Sequence, residues 1–271
     1  MKLGLDQQVA LVTGGGQGVG RRICLELAQE GARVVVNDLF AERAEAVARE
    51  IQAAGGSALA APADITKIEA VKAMVERASS HFGAPVEILV NNAGILPERR
   101  EKGGRTPSFL DMPVEDWTKV INLNLYGTMY CCQAVLPGMV ERKHGRIVNI
   151  ISEAGRIGEA NFAVYSGAKA AIAGFGKALA REHGRHAITV NAVALGAVSH
   201  EGIKDGPLHV DATPQNNELL GKMLSLYPVS KGAGRLSRPE DVAGIVAFLA
   251  SDRALFITGQ TVGASGGYVM I

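Results

Sequence analysis

Short apolar runs alternate with amphipathic segments along almost the whole chain. The runs at residues 9–13, 33–38 and 145–151 consist mainly of β-branched and other apolar residues. Such runs are typical of strands that are buried on both faces of a sheet. Between them, apolar residues recur at helical spacing, for instance at residues 19–30 and 41–54, which predicts amphipathic helices. The repeated order of strand, helix and strand predicts a parallel sheet.

The same pattern continues towards the end of the chain. Further strands are predicted at residues 57–64, 87–94, 188–194 and 259–267, and further helices at residues 66–81, 115–139, 161–183 and 239–251. We therefore predict an α/β fold, with one doubly wound, Rossmann-type domain over residues 1–271. Its parallel sheet has about seven strands and carries helices on both faces.

Two segments interrupt this alternation. Residues 95–113 are polar, basic and turn-rich, and residues 198–226 begin with an irregular stretch of mixed composition. Each segment follows a predicted strand, so both are expected at the carboxyl edge of the sheet, where open α/β folds bind their ligands. We interpret them as substrate loops.

The first predicted strand runs into a cluster of glycines before the first helix. Gly14, Gly18 and Gly20 follow Thr13 at the spacing T-G-x-x-x-G-x-G, whereas the spacing G-x-G-x-x-G fits no register. Residues without side chains let backbone N–H groups approach a pyrophosphate, and a helix N-terminus favours its negative charge. Glycines also serve ordinary turns, but their position between a strand and a helix predicts a phosphate-binding loop.

Composition narrows the class of protein. The 28 basic and 27 acidic side chains leave almost no net charge, so no general attraction to nucleic acid or anionic membranes is expected. The three cysteines, two of them adjacent, do not indicate a disulfide framework, and no apolar run approaches the roughly 18 residues that span a bilayer. We expect a cytoplasmic protein. The six scattered histidines predict no metal site.

Five short motifs give the chain a resemblance to the short-chain dehydrogenase/reductase family. They are TGGGQGVG at residues 13–20, NNAG at 91–94, NLYG at 124–127, YSGAK at 165–169 and TVNAVALG at 189–196. They occur in the family's order and span essentially the whole chain. The resemblance implies an oxidoreductase that transfers a hydride to or from a nicotinamide cofactor. It also implies a homodimer or homotetramer that is paired through the helix containing YSGAK.

Asp38, at the end of the second predicted strand, favours NAD over NADP as the cofactor. A carboxylate at this place accepts hydrogen bonds from the hydroxyls of the adenosine ribose and repels a 2′-phosphate. Gln17 and Leu39 occupy positions where many family members that use NADP carry Arg or Lys. The alternative role for Asp38 is to cap the helix near Ala41.

The resemblance assigns further residues to the cofactor. It places Asp64 at the adenine amino group with Ile65 beside it, and the alternative for Asp64 is an N-cap of the next helix. Asn91 and Ala93 are expected under the adenosine ribose, although NNAG also serves to brace the sheet in the alternative interpretation. The full predicted cofactor-binding set is Gly14, Gln17, Gly18, Val19, Gly20, Asp38, Leu39, Asp64, Ile65, Asn91, Ala93, Gly94, Tyr165, Lys169 and Val198.

Tyr165 and Lys169 carry the catalytic hypothesis. They lie four residues apart on a predicted helix and therefore share one face. A nearby ammonium lowers the pKa of a phenol from its reference value of about 10, so Tyr165 is predicted to exchange a proton with the substrate hydroxyl. By resemblance, Ser152 orients the substrate oxygen. Asn124, rather than Asn122, completes a proton relay from Lys169 through a water molecule.

Two features depart from the family's pattern. Leu195 stands where the family usually has proline, and His200 stands at the usual threonine position. Val198 remains able to bind the nicotinamide carboxamide through its backbone, while His200 is interpreted as an exposed loop residue. The loop after NNAG carries the cations Arg99, Arg100, Lys102 and Arg105. It is either a solvated surface loop or an entrance that attracts an anionic substrate.

The predicted activity is NAD-dependent interconversion of a secondary alcohol and a ketone. The small-molecule substrate is a cyclic alcohol or a hydroxyacyl thioester. One alternative is an NADP-dependent 3-oxoacyl thioester reductase. An alternative from another class is a nucleotide-binding regulatory or scaffold protein whose site is inactive.

Overall fold

A seven-stranded parallel sheet forms the centre of the part of the chain that the structure describes. This computed structural model describes residues 3–96, 107–203, 205–215 and 217–271. The strands are β1 Val9–Val12, β2 Arg33–Val36, β3 Ser57–Ala60, β4 Ile88–Asn91, β5 Gly145–Ser152, β6 Ile188–Leu195 and β7 Thr261–Ala264. Their order across the sheet is β3-β2-β1-β4-β5-β6-β7, and every neighbouring pair is parallel.

The helices occupy the intervals between the strands. Before β5 the chain forms α1 Gly18–Gln29, α2 Ala41–Ala53, α3 Ile68–Phe82, α4 Val114–Ile121 and α5 Gly127–Arg142. Further along it forms α6 Ala154–Ile157, α7 Ala163–His183, α8 Glu218–Leu226, α9 Pro228–Ala233 and α10 Pro239–Leu249. The predicted doubly wound fold is confirmed.

Alternate residues of the strands belong to two large apolar clusters, one on each face of the sheet. Ala10 and Val12 of β1 pack with apolar residues of α1, α2 and α10 on one face of the sheet. Val9 and Leu11 pack with apolar residues of α3, α5 and α7 on the other face. Because successive side chains of a strand point to opposite faces, a continuously apolar strand needs helices on both sides, as the sequence pattern predicted.

Several predicted elements differ from the observed ones in their bounds, including the strands predicted at residues 87–94 and 259–267, which are observed at Ile88–Asn91 and Thr261–Ala264. The third strand ends at Ala60 rather than at residue 64, because Pro62 has no N–H to continue the ladder. The long helix predicted at residues 115–139 is interrupted by a π-helical turn, Asn122–Tyr126, between α4 and α5. Residues 218–226 of the predicted second loop form α8, and the Asn217 side chain accepts a hydrogen bond from Leu220 N–H at the N-terminus of this helix.

A small apolar cluster lies beyond the carboxyl edge of β6. Its buried residues are Leu220, Leu224, Tyr227 and Leu236, and Ala197 and Tyr268 pack against it. We call this group the outer cluster. It holds the segment after β6 to α8 and α9, so this half of the ligand edge is built by residues outside the sheet.

Candidate active site

The glycine loop is tied to the end of β4 by side-chain hydrogen bonds. Asn92 donates through Nδ2 to the carbonyls of Thr13 and Gly14, both at 3.0 Å, and Thr13 Oγ1 accepts from the N–H groups of Asn92 and Ala93. A Cβ added to Gly20 would lie 2.1 Å from the Gly14 carbonyl oxygen, so a side chain is excluded there. The loop therefore keeps the tight turn that a phosphate needs.

Asp38 lies directly beside this loop. Its Oδ2 accepts a hydrogen bond from Gly16 N–H at 3.2 Å, and its Oδ1 accepts one from Phe40 N–H at 3.1 Å. The helix that follows has no side-chain cap, so Asp38 does not play the alternative capping role. Its buried carboxylate is held in a fixed orientation, while Leu39 is more than half exposed.

Arg43 is a cation at this end of the site that the sequence analysis did not name. Its Cβ would lie 2.6 Å from a Cβ added to Gly16, and its guanidinium carbon lies 4.2 Å from the centre of the Phe40 ring. Asp38 and Arg43 thus approach the same glycine from different elements. Arg43 lies five residues after Asp38, in the first turn of α2. This position in the sequence was the signal that could have identified it.

The side chains of Asp64, Ile65 and Asn91 are engaged within the protein. Asp64 Oδ1 accepts from the N–H and the hydroxyl of Thr66, at 2.9 and 2.7 Å. Ile65 is buried against Gly127. Asn91 Nδ2 donates to Asn149 Oδ1 at 2.9 Å inside the sheet. Asp64 therefore does not cap α3, whose N-cap is Lys67 and has no side-chain hydrogen bond, whereas the contact of Asn91 agrees with a role in bracing the sheet.

Gln17, Val19 and Ala93 stay close to the glycine loop. Gln17 is the N-cap of α1, and its side chain makes no capping hydrogen bond. Val19 lies in the first turn of the same helix and packs against one of the two sheet clusters. Ala93 approaches Gly14, since its Cβ lies 3.2 Å from a Cβ added to that glycine.

The catalytic candidates meet at the carboxyl ends of β4 and β5. Tyr165 and Lys169 lie one turn apart on α7, and Lys169 Nζ is 5.7 Å from the centre of the Tyr165 ring. The ammonium donates a hydrogen bond to the Ile150 carbonyl at 2.9 Å. Ser152 ends β5, and its Oγ accepts from Ala154 N–H at 3.1 Å. The predicted shared face of Tyr165 and Lys169 is therefore present.

Burial lowers the pKa of Lys169 from its ordinary value of 10.5 to about 8. The charged form is disfavoured because the side chain lies almost entirely inside the protein. At neutral pH the amine still remains mostly protonated, since its pKa stays above 7. The group can therefore present a positive charge to Tyr165 under physiological conditions.

Asn124 lies in the π-helical turn and completes this arrangement. Its Nδ2 donates to the Val120 carbonyl, while its buried Oδ1 has no hydrogen-bond partner among the described residues. A Cβ added to Gly94 would lie 2.8 Å from Asn124 Oδ1 and 2.9 Å from Lys169 Nζ. An acceptor and a donor thus converge on one glycine. π-Helical turns occur frequently at functional sites.

The segment after β6 reaches back to the glycine loop. Val198 forms an isolated parallel bridge with Ser237, and Ser199 N–H donates to the Ser237 carbonyl at 2.8 Å. The His200 ring lies against the loop, because its Cε1 is 2.9 Å from a Cβ added to Gly18. Its Nδ1 accepts from Gly202 N–H at 3.1 Å. His200 is therefore in contact with the predicted phosphate loop, not simply exposed on a surface loop.

The remaining candidates carry no site in the part of the chain that is described. Cys24, Cys131 and Cys132 are buried free thiols, and burial raises the pKa of each. The described residues contain no cluster of His, Cys, Asp or Glu that would hold a metal ion, and none of their helices has the length and apolar character to cross a bilayer. Arg99, Arg100, Lys102 and Arg105 lie outside the described residues.

Comparison with known proteins identifies the family of this chain. The family model described as short chain dehydrogenase matches residues 8–205. A (2S)-[(R)-hydroxy(phenyl)methyl]succinyl-CoA dehydrogenase subunit, BbsD, from Thauera aromatica is 41% identical over 265 residues, which cover 98% of each chain. A 3-oxoacyl-[acyl-carrier-protein] reductase, FabG, from Staphylococcus aureus is 39% identical over 262 residues, or 96% of this chain and 98% of the relative.

Solved structures show the same likeness. A 7α-hydroxysteroid dehydrogenase in complex with NADH and 7-oxo glycochenodeoxycholic acid is 36% identical, with a TM-score of 0.85 over 98% of this chain and 96% of the other. The fold and the site define an oxidoreductase of the dinucleotide-binding α/β class. The chain belongs to the short-chain dehydrogenase family. A nicotinamide dinucleotide fits its residues, since the side-chain-free turn at Gly20 and the unpartnered Asn124 Oδ1 both lie at the ligand edge.

Proposed function

We propose that this protein interconverts a secondary alcohol and a ketone with NAD as the cofactor. The observation that carries the proposal is the approach of Lys169 Nζ to the Tyr165 ring, with Asn124 Oδ1 and Lys169 Nζ both beside Gly94. A bound NAD supplies a nicotinamide ring that accepts the hydride from the alcohol carbon. The protein's own residues must then hold the substrate oxygen and remove its proton.

Tyr165 acts as the acid and base in this proposal. The Lys169 ammonium favours the phenolate form through its positive charge, and the phenolate takes the proton of the substrate hydroxyl during oxidation. Ser152 Oγ donates a hydrogen bond to the substrate oxygen. A water molecule between Asn124 Oδ1 and Lys169 Nζ would satisfy the unpartnered acceptor and connect the proton path to solvent.

Asp38 is the basis for proposing NAD. Its fixed carboxylate next to Gly16 accepts hydrogen bonds from ribose hydroxyls and repels a 2′-phosphate. Gly14, Gly18, Val19 and Gly20 would receive the diphosphate by their backbone. We further propose that Val198 holds the carboxamide through its backbone and that Lys169 also contacts the nicotinamide ribose.

A 3-oxoacyl thioester reductase that uses NADP is the second candidate. Two observations favour it: the names of the FabG relatives and the cation Arg43 beside the glycine loop. BbsD is likewise named for a thioester substrate, whereas the solved neighbour holds a steroid. We therefore propose that the substrate is either a hydroxyacyl thioester or a cyclic alcohol.

The exposed small residues of α7 support the proposed pairing of two chains. A Cβ added to Gly167 or Gly174 meets no heavy atom within 4 Å, so this face of the helix leaves room for a second backbone. We expect a homodimer or a homotetramer. Light scattering coupled to size-exclusion chromatography measures the mass directly, and a monomer would contradict the proposal.

Tyr165→Phe tests the activity. We expect turnover to fall by about 10³-fold, since a positioned proton-transfer group contributes 10²–10⁴-fold, while calorimetric binding of NAD remains within about twofold. Absorbance of the reduced nicotinamide is followed with NAD or NADP against 3-hydroxyacyl thioesters and cyclic secondary alcohols. Tyr126→Phe is the matched control, because Tyr126 is a partly exposed tyrosine outside the proposed proton path.

The outcomes separate the candidates. Faster turnover with NADP than with NAD would support the reductase. Binding of NAD without turnover on any alcohol would support the scaffold protein. Full activity of Tyr165→Phe would overturn the role given to Tyr165.

A further inference from the structure

Tyr227 supports the segment that follows β6. Its ring lies on Gly196, because Cε1 is 2.7 Å from a Cβ added to that glycine. Its Oη accepts a hydrogen bond from Ala197 N–H at 3.2 Å. The side chain is buried in the outer cluster, and burial raises its pKa above the ordinary value of 10. The hydroxyl therefore stays neutral and available as an acceptor at physiological pH.

A second tyrosine connects Tyr227 to the catalytic helix. The rings of Tyr227 and Tyr268 stack with their centres 4.7 Å apart and an angle of 23° between the planes. Burial and the charge of the nearby Glu159 carboxylate raise the pKa of the Tyr268 hydroxyl. Glu159 N–H in turn donates to Ser166 Oγ, one residue after Tyr165. The two tyrosines thus join the segment after β6 to the first turn of α7.

The sequence explains why this segment needs such a support. Leu195 stands where the family usually has a proline. A proline ring would fix φ at about −65° and would remove one backbone donor. Leu195 is instead held at the end of β6, where it pairs with Ser152 and Ala264, and the pairing of this strand ends with it. Tyr227 contacts the next two residues, with its ring on Gly196 and its oxygen on Ala197 N–H.

We propose that Tyr227 is a positioning residue that fixes residues 196–198 for the nicotinamide end of the cofactor. This inference rests on the proposed function, in which the Val198 backbone holds the carboxamide. Tyr227 contacts neither the substrate nor the catalytic tyrosine in this proposal. It holds the peptide that faces the ring.

Tyr227→Phe tests the proposal, because it removes Oη and keeps the ring on Gly196. The readout is the ratio of the dissociation constant of NAD to that of ADP-ribose, which lacks the nicotinamide. Loss of one hydrogen bond to a buried N–H predicts a rise of about fivefold in this ratio, with ADP-ribose binding unchanged. We also expect kcat/KM for NAD to fall while the thermal midpoint of unfolding changes little. A purely structural role would lower both.

Two further variants complete the experiment. Tyr126→Phe should leave the ratio unchanged. If Tyr227→Phe is poorly folded, Tyr268→Leu removes the stacked partner and should raise the ratio in the same direction. An unchanged ratio in Tyr227→Phe overturns the inference. Failure of wild type to bind either ligand would instead overturn the proposed function.

Discussion

The sheet and the outer cluster hold the two sides of the ligand edge in different ways. On the sheet side, Lys169, Asn124 and Ser152 are attached to strand ends and long helices that pack on clusters of many buried residues. On the other side, the outer cluster has only four buried residues from a short stretch of chain. A large apolar core therefore supports one side of the ligand edge, and a small one supports the other side.

Because of this difference, the residues proposed for proton transfer lie on one side of the ligand edge, and those proposed to select the ligand lie on the other side. The groups proposed to move a proton need fixed distances, and the large core provides them. The segment after β6 and α8 faces the proposed nicotinamide and substrate, and a small core tolerates changes of sequence more easily than a large one. Family members with one chemistry can accordingly act on different substrates. The relatives named for acyl thioesters and for a steroid agree with this interpretation.

The largest expected effect is the difference between two leucine truncations. Leu89→Ala removes a fully buried side chain of β4 and should lower the free energy of unfolding by about 3 kcal/mol, because it leaves a cavity in the sheet core. Leu224→Ala removes a comparable side chain from the outer cluster and should lower it by about 1 kcal/mol, because local opening replaces global unfolding. Denaturant unfolding measures both values.

Hydrogen exchange provides the control for this pair. Leu224→Ala should accelerate exchange in residues 217–236 while β4 and β5 remain protected. Equal losses of stability in the two variants, or faster exchange throughout the sheet in Leu224→Ala, would show that the outer cluster is not a separate unit.

The second effect is a dependence of stability on pH that Lys169 causes. Its pKa of about 8 in the folded protein lies below the ordinary 10.5, so between these values the unfolded chain binds more protons and stability rises with pH. Relative to Lys169→Met, the free energy of unfolding of wild type should rise by about 2 kcal/mol between pH 7.5 and pH 9.5. The gain is lost as pH falls through 8. Chemical unfolding at the two pH values measures it.

The comparison variant for this effect is Lys177→Met, which lies on the exposed face of the same helix. It should show the wild-type dependence on pH. A stability difference between wild type and Lys169→Met that stays constant from pH 7.5 to 9.5 would contradict the lowered pKa.

The third effect is on the choice of cofactor at the sheet side. Asp38→Ser removes the carboxylate beside Gly16 and should shift the ratio of kcat/KM for NAD over NADP towards NADP by about tenfold, which corresponds to about 1.4 kcal/mol. Arg43→Ala tests the neighbouring cation. It should lower kcat/KM for NADP without changing kcat/KM for NAD. Steady-state kinetics with both cofactors measures these ratios. An unchanged ratio in Asp38→Ser would remove the basis for proposing NAD.

The periodic part of the structure could be predicted from the sequence. Runs such as residues 9–12 are apolar on both faces, so their strand character and burial could be predicted directly from the sequence. Tyr165 and Lys169 share a face because their spacing of four is a local property of a helix. The glycine loop followed from its place between the first strand and the first helix.

The contacts between distant segments could not be predicted. His200 meets Gly18 and Tyr227 meets Gly196 only because separate loops are folded onto the sheet edge. Arg43 was missed because its relation to Gly16 depends on the turn between β2 and α2. The π-helical turn was missed because the spacing of apolar residues over 115–139 does not show one additional residue. These features depend on tertiary packing rather than on local preference.

That additional residue fixes how the two parts of the interrupted helix are rotated about their common axis. In a regular α-helix each residue turns the chain by about 100°, so losing one residue from Asn122–Tyr126 would turn every side chain of α5 by that angle relative to α4. Cys131, Val135 and Met139 would then leave the sheet, or Asn124 would leave Lys169. Insertions and deletions should accordingly be much rarer in this turn than in the loops on either side.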